Sequence, residues 1–100
     1  MRFANKHGAC EIDTVPGCSQ LAISHYVFIR PENRGQGEGQ KNHDLRLKRM
    51  KDLLYDCVIC TVDYSNLAQK HILEKFGWKN CHSFFNQKTG HTVEIWARNL

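Results

Sequence analysis

The sequence predicts an α/β fold, with a mixed and partly parallel sheet and two helices in the order β-β-turn-α-β-α-β-β. Two observations predict it. Apolar-rich runs of strand length alternate with two stretches of helical periodicity. In addition, a glycine-dense turn at 34–39 joins a strand to the first helix. A strand that is followed by a helix and a second strand forms a βαβ unit, in which the two strands are parallel and the crossover is right-handed.

The first strands are expected at 9–15 and 21–29, as an antiparallel pair joined by Pro16-Gly17. A helix over 40–55 follows. Its apolar stripe has offsets of three and four, and it consists of His43, Leu47, Met50, Leu53 and Leu54.

Residues 57–62 are almost wholly apolar, as in a strand that is buried on both faces. Ser65 or Asn66 caps the second helix, which runs to Phe76, and Gly77 occupies the C′ position. The runs 81–86 and 92–98 predict a closing hairpin.

Length and composition indicate one soluble globular domain. The chain has 100 residues, of which 41% are hydrophobic and 24% charged. No run approaches the roughly 20 apolar residues of a membrane span, and the N-terminus does not resemble a signal peptide. We therefore expect a cytoplasmic protein without a membrane partner.

The five cysteines are an odd number without an export signal, and we expect reduced, mostly buried thiols. Cys57 and Cys60 have a spacing found in metal sites. On a strand, however, side chains three apart point to opposite faces, so we expect no metal.

The formal net charge is +4, and its basic residues concentrate in Lys41, Arg46, Lys48, Arg49 and Lys51. A solvated helix face is the ordinary interpretation, although a polyanionic cofactor or a nucleic acid also suits such a run. The lack of a recognisable nucleic-acid module or of interleaved aromatic residues argues against nucleic acid.

The turn Arg34-Gly35-Gln36-Gly37-Glu38-Gly39 lies between a predicted strand and a predicted helix. Unpaired N–H groups and the positive end of the helix dipole converge at such a place, and glycine lets an anion approach the backbone. The turn therefore predicts a phosphate-binding site.

Two motifs together resemble those of the GNAT superfamily of acetyl-CoA-dependent N-acetyltransferases. The first is Arg34, Gly37 and Gly39, preceded by Pro31-Glu32, and the second is Asn66 followed by Phe76-Gly77-Trp78. The resemblance covers residues 21–98. It implies a GNAT-like core and a single domain over 1–100.

The resemblance implies acetyl-CoA as co-substrate and no metal. The strands at 21–29 and 57–62 would splay to admit the thioester, and Asn66 would contact the cofactor near that gap as well as cap its helix. The implied cofactor-binding residues are the pantetheine-pairing Val27, Phe28 and Ile29, the pyrophosphate-binding Arg34, Gly35, Gln36, Gly37, Glu38, Gly39 and Gln40, and Asn66.

The catalytic groups depart from the family pattern. Leu73 stands where many relatives carry a tyrosine that protonates the CoA thiolate, so Tyr64 or His71 is the substitute acid. A packing role for Tyr64 and a surface position for His71 are the structural alternatives to the acid role. His25 is the candidate base, with Glu11 and Asp13 as alternatives, although a structural histidine packed beside Ile23 fits the periodicity.

The chain also lacks room before Ala9 for the family's usual N-terminal strand and helix pair. Those helices normally wall the acceptor site, which is therefore open to a macromolecule or completed by another subunit. Glu38 and Asn42 make the start of the first helix unusually polar, as if a partner covered it.

The function expected from the resemblance is transfer of acetyl from acetyl-CoA directly to an amine of a protein, by a homodimer. The alternative is a catalytically degenerate GNAT-like protein that binds acyl-CoA or serves as an interaction module. Leu73 and the unassigned base favour the alternative, whereas the intact glycine motif favours the enzyme.

Overall fold

The computed structural model describes residues 2–5, 8–29 and 38–100, which form one six-stranded mixed sheet in the order β1-β2-β3-β4-β6-β5. The predicted α/β fold is confirmed. The elements are β1 Arg2–Asn5, β2 Gly8–Val15, β3 Cys18–Ile29, α1 Glu38–Asp52, β4 Cys57–Asp63, α2 Leu67–Lys75, β5 Lys79–Asn86 and β6 His91–Asn99.

β3 and β4 form the parallel pair that the crossover rule predicts, and the other neighbouring strands are antiparallel. The sequence predicts no room before Ala9 for the family's usual strand and helix pair, whereas the structure has a short strand there. β1 pairs with β2, from Arg2 opposite Glu11 to Asn5 opposite Gly8.

Both helices pack on the same face of the sheet. One buried cluster contains Leu47 and Met50 of α1 and Leu73 of α2. It also contains Trp78 and alternate residues of the strands, namely Cys10, Ile12, Ala22, Val58, Cys60, Val62 and Trp96. Leu21, Ile23 and Ile59 alternate with these and lie on the opposite face. Within the described ranges, neither helix packs on that second face, which we name the open face.

α1 ends three residues earlier than predicted, and Leu54 is outside its apolar stripe. The N–H of Leu54 donates to the carbonyl of Lys51, and that of Tyr55 to the carbonyl of Met50. This Schellman pattern puts Leu54 at the C′ position with φ 66° and leaves its side chain 82% exposed.

The charged run on α1 is only partly solvated. Lys41, Lys48, Arg49 and Lys51 are exposed, as expected. Arg46, in contrast, is only 2% exposed, because it is three residues after His43 and four before Met50 and so lies on the buried side of the helix.

The five cysteines are free thiols, as predicted, but they are not mostly buried. Cys10 and Cys60 are buried, Cys57 is half-buried, and Cys18 and Cys81 are exposed. Cys57 and Cys60 lie on opposite faces of β4 because the strand is regular. In the part of the chain that the structure describes, no cluster of three metal-ligating side chains is present.

Neither α1 nor α2 is long and apolar enough to cross a membrane, and the described residues contain no other α-helix.

Candidate functional site

The two parallel strands separate soon after they meet. Their register pairs end at Ile23 opposite Ile59, although β3 continues to Ile29 and β4 to Asp63. The backbone of residues 27–29 lies in this part of β3, beyond the last register pair with β4. The sheet therefore opens between its two central strands, as the resemblance implies for a thioester cleft.

The candidate bases gather beside this opening on the open face. His25 comes two residues after the last β3–β4 pair, and Glu11 lies directly opposite it on β2. The Nε2 of His25 lies 2.5 Å from Oδ2 of Asp13, and the histidine side chain is 33% exposed. His25 is therefore accessible and hydrogen-bonded to a carboxylate, and it lies on the same face as Ile23.

The helix-covered side of the opening contains polar groups that the sequence did not predict as a site. Ser24 and Cys60, each the first residue after the last register pair, are both buried. Arg46 is buried on the side of α1 that faces the sheet, and its charge acts on the buried thiols of Cys10 on β2 and Cys60 on β4. The Ser24 hydroxyl and the Arg46 Nε atom have no hydrogen-bond partner among the described residues.

His43 lies between two donors. The indole Nε1 of Trp78 donates to His43 Nε2 at 2.9 Å, and Nη2 of Arg46 contacts His43 Nδ1. Burial lowers the pKa of His43 to about 3, and the charges of Arg46 and Arg98 add to this effect. The ring is neutral, and because one of its nitrogens carries the proton, it accepts from only one of these donors at a time.

A second cation, the half-buried Lys70, belongs to α2. Lys70 Nζ is 3.2 Å from Oε2 of Glu94, and the indole Nε1 of Trp96 donates to Glu94 Oε1 at 3.0 Å. Lys70 also donates to the carbonyl of Tyr64. This carboxylate accepts from both neighbours, so the group is electrically compensated.

The start of α2 lies at the same sheet edge as the opening, because β3 and β4 both end there. Asn66 is the N-cap, and its Oδ1 accepts from the N–H of Gln69 at 3.2 Å, which confirms the capping role. Asp63 accepts from the hydroxyl and N–H of Ser65, and these bonds hold the pKa of its carboxyl below the usual value.

The two candidate acids do not join His25. Tyr64 follows β4 and is 61% exposed, with the Nζ of Lys70 4.6 Å above its ring. His71 is exposed on α2, on the helix-covered side of the sheet. Leu73, at the family's tyrosine position, is fully buried in the core.

Most of the glycine turn, Arg34 to Gly37, lies outside the described residues. Glu38 and Gly39 open α1, and Oε1 of Gln40 in its first turn accepts from Nζ of Lys75 at 2.6 Å. Gln40 thus connects the two helices at this end of the molecule.

Sequence reasoning missed Arg46 as a site residue because the surrounding lysines and arginines predicted a solvated face. The signal was its offset of three from His43 and four from Met50, which puts a charge inside the apolar stripe. Asn42, also buried, was noticed as polar but was assigned to a surface that a partner covers. Ser24 had no signal beyond its alternation with His25.

Comparison with solved structures identifies the architecture. An IAA acetyltransferase from Bacillus cereus superposes with a TM-score of 0.83 at 13% identity, over 93% of this chain and 69% of its own. The ribosomal-protein-S18-alanine N-acetyltransferase of Escherichia coli gives 0.79 at 15%, over 99% of this chain and 68% of its own.

A third structure, the NatC complex bound to Gag peptide and CoA, gives a TM-score of 0.80 at 15% identity, over 93% of this chain and 59% of the matched one. No protein-family model and no curated protein sequence matches the chain. At these identities the likeness concerns the fold, and the chain spans roughly two thirds of the length of these structures. The chain therefore has the fold of the GNAT N-acetyltransferases, as the motifs in its sequence predict.

Proposed function

We propose that this protein is an acetyl-CoA-dependent N-acetyltransferase that acts directly on an amine of a protein. The observation that carries the proposal is the opening between β3 and β4, where only three register pairs precede the separation. Its structural neighbours are acetyltransferases, and one of them is described as bound to CoA. An opened pair of central strands in this fold is suited to a thin, elongated cofactor arm.

The residues around the opening fit a CoA thioester as co-substrate. The buried Ser24 hydroxyl, which lies where the strands separate, and the buried Nε of Arg46 on α1 lack hydrogen-bond partners within the described ranges. Buried polar atoms without partners are costly unless a ligand satisfies them. The backbone of Val27 to Ile29 would hold the pantetheine, and the amides from Arg34 to Gln40 the pyrophosphate. Bound acetyl-CoA would supply a thioester, whose carbonyl carbon is open to attack by a neutral amine.

His25 is the proposed general base. It is partly exposed on the open face beside the separating strands, and Asp13 orients its ring through the 2.5 Å contact. A carboxylate on one ring nitrogen holds the imidazole and stabilises its protonated form. Accordingly His25 would take the proton that the acceptor amine loses. Tyr64 and His71 stay candidate acids, and a thiolate leaves without one.

The acceptor and the assembly belong to the same proposal. No helix of the described chain covers the open face, where His25, Glu11 and Asp13 lie. A large acceptor such as a protein in the cytoplasm can approach such a face, and a second copy in a homodimer would supply the missing wall. Identifying the proteins that become acetylated tests the acceptor. Measuring the molecular mass in solution tests the homodimer.

Calorimetric titration with acetyl-CoA tests the proposal directly. Binding is expected in the micromolar range, and no heat at about 0.5 mM ligand would overturn the proposal. Gly37→Glu should abolish binding without unfolding the protein, because it puts bulk and negative charge where the motif predicts the pyrophosphate. Lys88→Glu, an exposed change in the β5–β6 turn, is the control for charge alone.

A second candidate function is acyl-CoA binding without catalysis. The fully buried Leu73 favours it, because the position of the usual acid is part of the core and donates no proton. Release of free CoA thiol in the presence of acceptor proteins separates the two. Binding without thiol release supports the binding protein, whereas release that His25→Ala abolishes supports the enzyme.

A further inference from the structure

Arg46 is a buried cation without a counter-charge among the described residues. Its side chain is 2% exposed, and the groups nearest to it are the neutral ring of His43 and the thiols of Cys10 and Cys60. Burial raises the pKa of both thiols, to about 12 for Cys60, so neither is an anion near neutral pH. An isolated charge in a protein interior is costly unless an anion accompanies it.

The charge of this guanidinium acts on a residue at the cleft. The thiol of Cys60, which feels the charge of Arg46, belongs to the first β4 residue after the last register pair, and Ser24 is the corresponding residue of β3. The Ser24 hydroxyl and the Arg46 Nε–H are both buried and lack partners within the described ranges. Two buried donors without described partners thus lie on the helix-covered side of the sheet, and one of them, Ser24, is at the opening.

We propose that this donor pair binds a carboxylate at the far end of the acyl group, so that the preferred donor is a short dicarboxylic acyl-CoA such as succinyl-CoA. The inference rests on the proposed function, because it uses the same cleft. A planar guanidinium matches a carboxylate, and a pairing that is shielded from water is strong. A methyl group, as in acetyl, would leave both donors unsatisfied.

The carboxylate takes no part in the transfer. The amine nitrogen forms a bond to the thioester carbonyl carbon, the C–S bond breaks, and the electron pair leaves on the CoA sulfur. His25 accepts the proton that the amine loses, and the thiolate is protonated from solvent. The product amide carries the intact carboxylate, so an acceptor lysine changes from a cation to an anion.

The test compares succinyl-CoA with butyryl-CoA, which has the same chain of four carbons and no carboxylate. Dissociation constants are measured by calorimetry for the wild-type protein, Arg46→Met and Arg49→Met. Shifts in the thermal midpoint of the same three proteins provide a second readout. The wild-type protein should bind succinyl-CoA about tenfold more tightly or better, as a hydrogen bond to a charged group implies. Arg46→Met should reverse this preference. Arg49→Met, an exposed change on the same helix, should retain it.

Equal binding of the two ligands by the wild-type protein would overturn the inference while the proposed transferase stands. A preference for succinyl-CoA that survives in Arg46→Met would also overturn it, because general attraction to a basic protein would then explain the preference. If the wild-type protein binds neither ligand nor acetyl-CoA, both proposals fail. If Arg46→Met does not fold, Ser24→Ala takes its place: loss of the preference for succinyl-CoA is expected there, and an unchanged preference would overturn the inference.

Discussion

Two polar clusters between the helices and the sheet, one buried and one partly buried, each contain one cation, one central acceptor and one tryptophan, but they differ in the acceptor. In the first, Lys70 and the indole of Trp96 both meet the carboxylate of Glu94. In the second, Arg46 and the indole of Trp78 meet opposite nitrogens of His43.

A carboxylate accepts several hydrogen bonds and cancels a positive charge, whereas a neutral imidazole accepts one and cancels none. The Lys70 cluster is therefore complete within the described chain, and the Arg46 cluster has both a surplus donor and a surplus charge. The first is expected to stabilise the fold. The second is expected to cost stability, as groups in a binding site often do.

The largest effect is expected from breaking the complete cluster. Glu94→Gln leaves Lys70, whose side chain is 18% exposed, without its counter-charge, and the free energy of unfolding should fall by about 3 kcal/mol. Urea unfolding measures it. Glu74→Gln, an exposed change on α2, is the control and should change stability by less than about 0.5 kcal/mol. A similarly small effect at Glu94 would show that Lys70 needs no partner.

The sequence predicts the helices and strands better than it predicts the polar clusters. Alternation and helical offsets predict β2 to β6 and both helices to within a few residues, because those patterns reflect the burial of one face. The sequence does not predict β1, because the four residues Arg2–Asn5 are too few to show alternation and their strand state comes from pairing with β2.

The polar clusters are harder to predict than the elements. No local sequence pattern predicts that Glu94 of β6 contacts Lys70 of α2, because the two residues are 24 positions apart. For Arg46 the helical offset shows that the side chain is buried, but not that a counter-charge is lacking. That absence is a property of every element around it, so sequence periodicity alone does not reveal it.

The incomplete cluster should respond in the opposite direction. Arg46→Met removes the uncompensated charge and keeps a long apolar side chain, so the ligand-free protein should become more stable, by about 2 kcal/mol. Urea unfolding without ligand, with Arg49→Met as the exposed control, measures the change. A loss of stability in Arg46→Met would mean that the guanidinium already has a favourable partner in the ligand-free protein.

The pH dependence of stability should also differ between the clusters because of His43. Its pKa is about 3 in the folded protein, against an ordinary value of 6.5. Below pH 6.5 the unfolded chain binds a proton that the folded protein does not, so stability falls by about 1.4 kcal/mol for each pH unit down to about pH 3.

His43→Gln should remove this contribution. Unfolding is measured between pH 6.5 and 5, which lies above the titration of Asp63, and the slope of the variant is subtracted from that of the wild type. Contributions from the rest of the chain are common to both proteins and cancel in the difference. Equal slopes would show that His43 is protonated in the folded state and that it is not the neutral acceptor described above.

The smallest expected effect is a difference between the two tryptophans. Each indole N–H donates to the central acceptor of its cluster, and both side chains are 3% exposed. Replacing tryptophan with phenylalanine removes the donor and a similar volume in each case, so the packing terms largely cancel.

Trp96→Phe loses a hydrogen bond to a carboxylate. Trp78→Phe, in contrast, leaves the accepting nitrogen of His43 available to Arg46. Trp96→Phe should therefore be less stable than Trp78→Phe by about 1 kcal/mol, as measured by urea unfolding at pH 7. If Trp78→Phe were the less stable variant, the indole rather than the guanidinium would be the main donor to His43, and the contrast between the clusters would lie in their charge alone.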